Sequence, residues 1–238
     1  MDVFQQKTKI LQYETVQEFL RDFTFQKKDY ILASRSIYEA FFRDSTGRAS
    51  IAFHSDYGQG EPDDRMLDAM LKDMREKQPE RIIAIGGGSV IDCAKLFVLE
   101  GTASAEDMFL HRCTPEKSRE LIAIPTTCGS GSEVSRISIC ELTSLHTKLG
   151  LAVDALYPDQ AVLIPELLSK LPFFYFVTSG IDALIHASES FVSPKSNAYT
   201  RMFSAEAIRL LLHGFQVIAK EGEDARMRLL GDFMQASN

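Results

Sequence analysis

No CxxC spacing links the four cysteines, Cys93, Cys113, Cys128 and Cys140, so the sequence carries no dithiol motif. They read as reduced thiols of a cytoplasmic protein. No apolar run approaches the ~20 residues that span a bilayer. The N-terminal stretch MDVFQQKTKILQYE has no apolar core of the kind a signal peptide needs. Positive charge is in deficit, with 26 Lys and Arg against 33 Asp and Glu, a net charge of −7. That balance argues against nucleic acid or an anionic membrane as a partner. The G-x-G-x-x-G fingerprint is absent, so a standard Rossmann assignment is not licensed. No internal repeat or low-complexity segment is visible.

What is present is a chain of 238 residues, 45% hydrophobic and 25% charged, the balance of a soluble globular protein with one large or two smaller domains. Its organising stretch is RIIAIGGGSVIDCAKLF, from Arg81 to Phe97. Arg81 to Ile85 has isoleucine at three of its five positions, which suits a strand buried on both faces of a parallel sheet. Gly86, Gly87 and Gly88 follow; they permit a tight turn with positive φ and close approach of a ligand to the backbone. Ser89 sits where a helix N-cap belongs, and helical spacing continues to Phe97. Strand, glycine turn and helix start together make an anion site, suited to a phosphate or pyrophosphate. The competing reading, a plain βα turn, is weaker against three glycines and a cap.

The rest of the chain supports a parallel α/β sheet. Strands are expected at Lys9 to Tyr13, Tyr30 to Ala33, Ile51 to Phe53 and Leu121 to Ile124. Helices are expected at Thr15 to Phe23, Ser36 to Phe42 and Pro62 to Lys77, the last with Met66, Met70 and Met74 as a core stripe. Ala103 to Phe109 reads as a short helix or loop. After Leu121 to Ile124 comes PTTCGSGSE, whose Thr126, Thr127, Ser130 and Ser132 hydroxyls lie among two glycines. Such a loop at a strand end could hold the far side of a dinucleotide or be a surface turn. Arg136 to Leu142 and Lys148 to Val153 read as an antiparallel pair. Lys148 is either a surface charge or a phosphate or ribose contact. From Phe173 onward helical spacing dominates, apart from a short aromatic stretch after Pro172, which places a boundary near that proline. In GIDALIHASESF, Asp182 and His186 are four apart and share one helix face. They could sit on one metal ion, but with two ligands only the residues by themselves favour a buried Asp–His hydrogen bond or a solvated pair.

GGGSVIDCAK, PTTCGSGSE and GIDALIHASES, in this order and spacing, resemble the iron-containing (group III) alcohol dehydrogenase family. Within the family, YGQGEPDD, ELTSLHTKLG and VTSGIDALIHASESFVSPKSNAYTRMFS resemble the 4-hydroxybutyrate dehydrogenases. The resemblance covers essentially the whole chain. It implies a dehydroquinate synthase-like architecture: an α/β NAD(P)-binding domain over residues 1–171, then the start of an all-helical metal-binding domain over 172–238. Gly87, Gly88 and Ser89 would meet the pyrophosphate, with Asp92 in the same motif. Thr126, Thr127, Ser130 and Lys148 would line the rest of the dinucleotide. Asp182 and His186 would be the first two ligands of divalent iron, with the metal polarising the oxygen of a small-molecule substrate. A homodimer is in keeping with the resemblance.

There are three departures. The family's two further ligand histidines would lie beyond Asn238, so a C-terminally shortened chain is expected. Where many relatives carry an Asp after the second strand, Ser34 and Arg35 stand here. Arg35 then either binds a 2′-phosphate or faces water, and the choice of NAD or NADP is open. Where many relatives read DPEL, this chain has Ile164-Pro165-Glu166-Leu167. Two other functions stay open: a nucleotide-binding chain without catalysis, and a glycerol- or sugar-alcohol-type dehydrogenase or dehydroquinate-synthase-like lyase.

Overall fold

The computed structural model describes residues 3–58 and 60–238. In chain order the elements are β1 (Lys9–Gln12), α1 (Val16–Asp22), β2 (Asp29–Ala33), α2 (Arg35–Phe41), β3 (Ser50–Phe53), α3 (Asp64–Lys77), β4 (Arg81–Gly86) and α4 (Gly88–Phe97). They continue with α5 (Ala105–Phe109), β5 (Glu120–Pro125), β6 (Ile137–Leu142), β7 (Thr147–Ala152), β8 (Gln160–Leu163), α6 (Phe173–Val192), α7 (Ala198–Glu221) and α8 (Leu230–Ser237). Six strands form one parallel sheet in the order β1-β8-β5-β4-β2-β3.

The isoleucine-rich strands alternate their side chains between two apolar layers. Leu32, Ile82, Ala84 and Leu121 point to the side covered by α3 and α4, where the methionine stripe of α3 is buried. Ile31, Ile83, Ile85 and Ile122 point to the side covered by α1 and α2. Burying each such side chain contributes roughly 1.5–3 kcal/mol, which is why the central strands are apolar on both faces. Thr15 caps α1 by accepting from Glu18 N, and Asp63 caps α3 by accepting from Met66 N. β6 and β7 form the expected antiparallel hairpin, separate from the main sheet.

A third apolar cluster sits among α6, α7 and α8, with Phe176, Leu211 and Phe233 at its centre. Leu163 and Cys128, from the sheet half, also belong to it. Three expectations are corrected here. The aromatic stretch after Pro172 is the first turn of α6, because Phe176 packs on Phe233 at 4.6 Å between ring centroids. β8, Gln160–Leu163, was not among the strands expected from the sequence. And α7, although broken by charges in sequence, is long and apolar enough by composition to cross a membrane; here it packs on α6 and α8 with Leu211, Gly214 and Ile218 buried.

Candidate functional site

β4 and β5 are neighbours in register, Gly86 opposite Pro125, so the two loops that follow them open at the same end of the sheet. The first loop is shorter than its sequence indicates. β4 runs through Gly86 and α4 starts at Gly88, which leaves Gly87 alone as the turn and N-cap. Ser89 is therefore inside the first helical turn and is not the cap. None of the three glycines takes a positive φ. What they supply is room. A Cβ on Gly87 would lie 3.2 Å from Thr127 Cγ2, and one on Gly88 would lie 2.8 Å from Ser130 Oγ. The first-turn N–H groups of α4, without intrahelical partners, thus open beside the hydroxyls of the second loop.

The second loop is fixed at both ends. Thr126 is buried and its N–H donates to Gly86 O at 3.1 Å. Glu133 is 2% exposed and its carboxylate accepts from Asn238 Nδ2 at 3.1 Å; burial pushes its pKa up. Between them, Gly129 lies against α6. A Cβ there would come 2.9 Å from Ser179 O and 3.3 Å from Asp182 Oδ2. Adjacent residues of one loop therefore touch the two candidate centres: Ser130 the glycine turn, Gly129 the Asp182 carboxylate.

Asp182 and His186 share one face of α6, as their spacing requires, with His186 Nε2 3.8 Å from Asp182 Oδ1 and both side chains about half exposed. One carboxylate oxygen and one imidazole nitrogen, adjacent and open, are a donor pair that fits a divalent transition metal. Among the described residues no third His, Cys, Asp or Glu joins them.

Asp92 and Lys148 are engaged elsewhere. The Asp92 carboxylate accepts from Lys95 Nζ at 3.1 Å and from Ile139 N at 3.2 Å. Lys95 is fully buried, and its ammonium also donates to Ser135 Oγ and to Ile137 O at 2.6 Å. Burial lowers its pKa, and Asp92 opposes that shift. The pair ties α4 to the β6–β7 hairpin. Lys148, on β7, is exposed and paired with Glu61. The sequence reading missed Lys95, Glu133 and Gly129. The Asp-x-x-Lys spacing on a helix was the one available signal for Lys95. Nothing in the sequence marks the approach of α6 to Gly129.

The chain matches the description "Iron-containing alcohol dehydrogenase" over residues 8–165 and "Fe-containing alcohol dehydrogenase family, C-terminal" over 176–238. It is 44% identical over 229 residues to the 4-hydroxybutyrate dehydrogenase of Clostridium kluyveri, covering 96% of this chain and 62% of that protein. It is 34% identical over 170 residues to the long-chain primary alcohol dehydrogenase AdhA of Thermoanaerobacter ethanolicus, covering 69% of this chain and 43% of that one. Among solved structures, an iron-containing alcohol dehydrogenase from Thermococcus thioreducens superposes with a TM-score of 0.80 at 26% identity, over 99% of this chain and 66% of its own. A sulfoacetaldehyde reductase from Bifidobacterium kashiwanohense, solved with NAD+, superposes with a TM-score of 0.84 over 100% of this chain and 66% of its own; at 23% identity that likeness concerns the fold. The chain thus spans 62% of the Clostridium relative's length. With two family descriptions spanning nearly all of its residues, the chain belongs to the iron-containing alcohol dehydrogenase family.

Proposed function

We propose that this chain carries the dinucleotide site and the first two metal ligands of an alcohol dehydrogenase. The reaction is hydride transfer between NAD(P) and a primary alcohol or aldehyde, with 4-hydroxybutyrate and succinate semialdehyde as the substrate pair. The likeness to the Clostridium protein supports that pair. The observation that carries the reading is the double contact of the second loop: Ser130 against Gly88 and Gly129 against Asp182. A reacting carbon between a nicotinamide and a metal needs the two centres side by side, and this loop touches both.

In this reading the turn at Gly87 and the first-turn N–H groups of α4 hold the pyrophosphate, with Ser89 beside them. Thr126 braces the turn through its backbone, while Thr127 and Ser130 offer hydroxyls. Asp182 and His186 would hold ferrous iron. The iron would supply Lewis acidity toward a substrate oxygen, and the nicotinamide the hydride partner. Lys148 reaches the dinucleotide only by leaving Glu61. Residues up to 171 form the nucleotide-binding domain and those from 172 the helical one. A cytoplasmic location goes with the four free thiols.

Calorimetric titration with NADH tests the reading. The parent chain should bind, and Gly87→Val should not, because a branched side chain meets Thr127 and fills the cradle. Unchanged affinity in the variant removes the glycine turn from the site. A second reading, dinucleotide binding without catalysis by these residues alone, is favoured by the lack of a third metal donor among the described residues.

A further inference from the structure

Lysine is almost never fully buried unless it is paired, and Lys95 is fully buried near the end of α4. An ammonium carries three protons, and here each has an acceptor: Asp92 Oδ1 at 3.1 Å, Ser135 Oγ at 3.1 Å and Ile137 O at 2.6 Å. No donor is left over for a ligand. The partner carboxylate is equally engaged, its second oxygen accepting from Ile139 N at 3.2 Å. The pair is therefore not itself a phosphate site. It stands behind one.

One short turn of the second loop separates Lys95 from the glycine turn. Ser132–Val134 is a single turn of 3-10 helix. Val134 N donates to Gly131 O at 3.2 Å, and Ser135 N to Ser132 O at 3.4 Å. At the other end of this turn Ser132 N donates to Ser130 Oγ at 3.3 Å. A continuous path of hydrogen bonds thus runs from Lys95 Nζ through Ser135 and Ser132 to the Ser130 hydroxyl. Ser130 is exposed, and its hydroxyl oxygen lies 2.8 Å from where a Cβ on Gly88 would be. Gly88 opens α4, so the hydroxyl stands beside the unpartnered N–H groups of that first turn.

We propose that Lys95 is a positioning residue of the dinucleotide site: acting through Ser135 and the turn at Ser132, it holds the Ser130 hydroxyl at the mouth of the glycine turn, where it donates to a phosphate oxygen. The inference rests on the dinucleotide reading of that turn. A donor already held in place costs the ligand no ordering of the loop, whereas a loop free to move must be ordered on binding. The helix that presents the backbone donors at its first turn thereby also sets, from its last turn, the side-chain donor facing them.

Lys95→Met would strip Asp92 of its cation, so the cleaner probe is Ser135→Ala, which removes one contact and leaves Lys95 with Asp92 and Ile137. Calorimetric titration with NADH compares the parent chain with Ser135→Ala, Ser130→Ala and the two combined, each checked for folding by circular dichroism. Ser130→Ala should weaken binding about tenfold, the effect of losing a hydrogen bond to a charged group. Ser135→Ala should weaken it about threefold or more, through a hydroxyl no longer held. The combined variant should bind no more weakly than Ser130→Ala alone, because both substitutions remove the same interaction. A purely structural role for Lys95 would leave NADH affinity unchanged in folded Ser135→Ala. Unchanged affinity in either single variant, or losses that multiply in the combined one, overturns the inference, while NADH binding by the parent and its loss in Gly87→Val uphold the dinucleotide reading. A parent chain that does not bind NADH overturns that reading and this inference with it.

Discussion

Gly88 and Ser130 come from different loops and stand so close that a Cβ on Gly88 would lie 2.8 Å from Ser130 Oγ and 3.0 Å from Ser130 Cβ. The two loops are therefore closely packed at this point. In Gly88→Ala the overlap costs about 1–3 kcal/mol, against up to ~1 kcal/mol returned by alanine's helix propensity. Because Gly88 is the first residue of α4, where propensity counts least, overlap wins. Urea unfolding should show a net loss of about 1–2 kcal/mol, and a smaller one for Gly87→Ala, whose nearest neighbour would be 3.2 Å away. Equal costs at the two positions would contradict the geometry.

Lys95 and Asp92 form a buried ion pair at 3.1 Å, with the ammonium fully inside. Lys95→Met leaves the Asp92 carboxylate without its cation, and Ser135 and Ile137 without their donor. The expected loss is about 3–5 kcal/mol by denaturant unfolding. Adding Asp92→Asn should recover part of it, since an amide tolerates burial better than a lone carboxylate. If the double variant is no more stable than the single, the pair is not coupled as the distances indicate.

Iron retention follows from the donor count. Two side-chain ligands hold ferrous iron, itself low in the divalent affinity series, only weakly. After anaerobic incubation with ferrous salt and desalting, the 238-residue chain should carry well under one iron per chain. It should also show no significant reduction of succinate semialdehyde. Stoichiometric iron that disappears in His186→Ala would show that further ligands complete the site.

Thiol reactivity should be selective. Burial pushes the Cys128 and Cys140 pKa values up to about 12 and that of Cys93 well above its ordinary range. Cys113 alone is partly exposed. A chromogenic disulfide reagent at neutral pH should titrate one thiol of the folded chain promptly and all four only in denaturant. Loss of the fast phase in Cys113→Ser completes the check.

His54 sets a pH dependence of stability. Its folded-state pKa lies below 6.5 because of burial, and its Nε2 is buried with no partner among the described residues. As pH falls below 6.5, the unfolded chain takes up a proton that the folded one refuses, so stability declines on acidification. Urea midpoints at about pH 8 and about pH 5 should therefore differ more for the parent than for His54→Gln. Identical pH slopes would remove His54 from the account.

Much of the sheet was legible because parallel strands buried on both faces must be apolar at every position, as Ile82 to Ile85 are. The Asp182–His186 face was legible because helical spacing alone fixes it. Ser89 misled because capping propensity ranks serine first, while the strand end at Gly86 leaves only Gly87 for the turn. Phe173 to Phe176 misled because aromatic β-propensity gave way to packing against Phe233, a partner far along the chain. Gly129 depends on neighbours from another element, α6, which no local pattern encodes.

The edge strand β1 pairs with β8, Lys9 with Gln160 through Gln12 with Leu163. β1 therefore waits for its sheet partner while the roughly 150 residues between them are made. Meanwhile β2, β4 and β5, whose pairings span shorter separations, can already pair with one another. During translation β1 is an unpaired strand, exposed to mispairing for as long as β8 is missing. Slowing synthesis before codon 160 should lower soluble yield more than slowing it after codon 163, when β8 is complete.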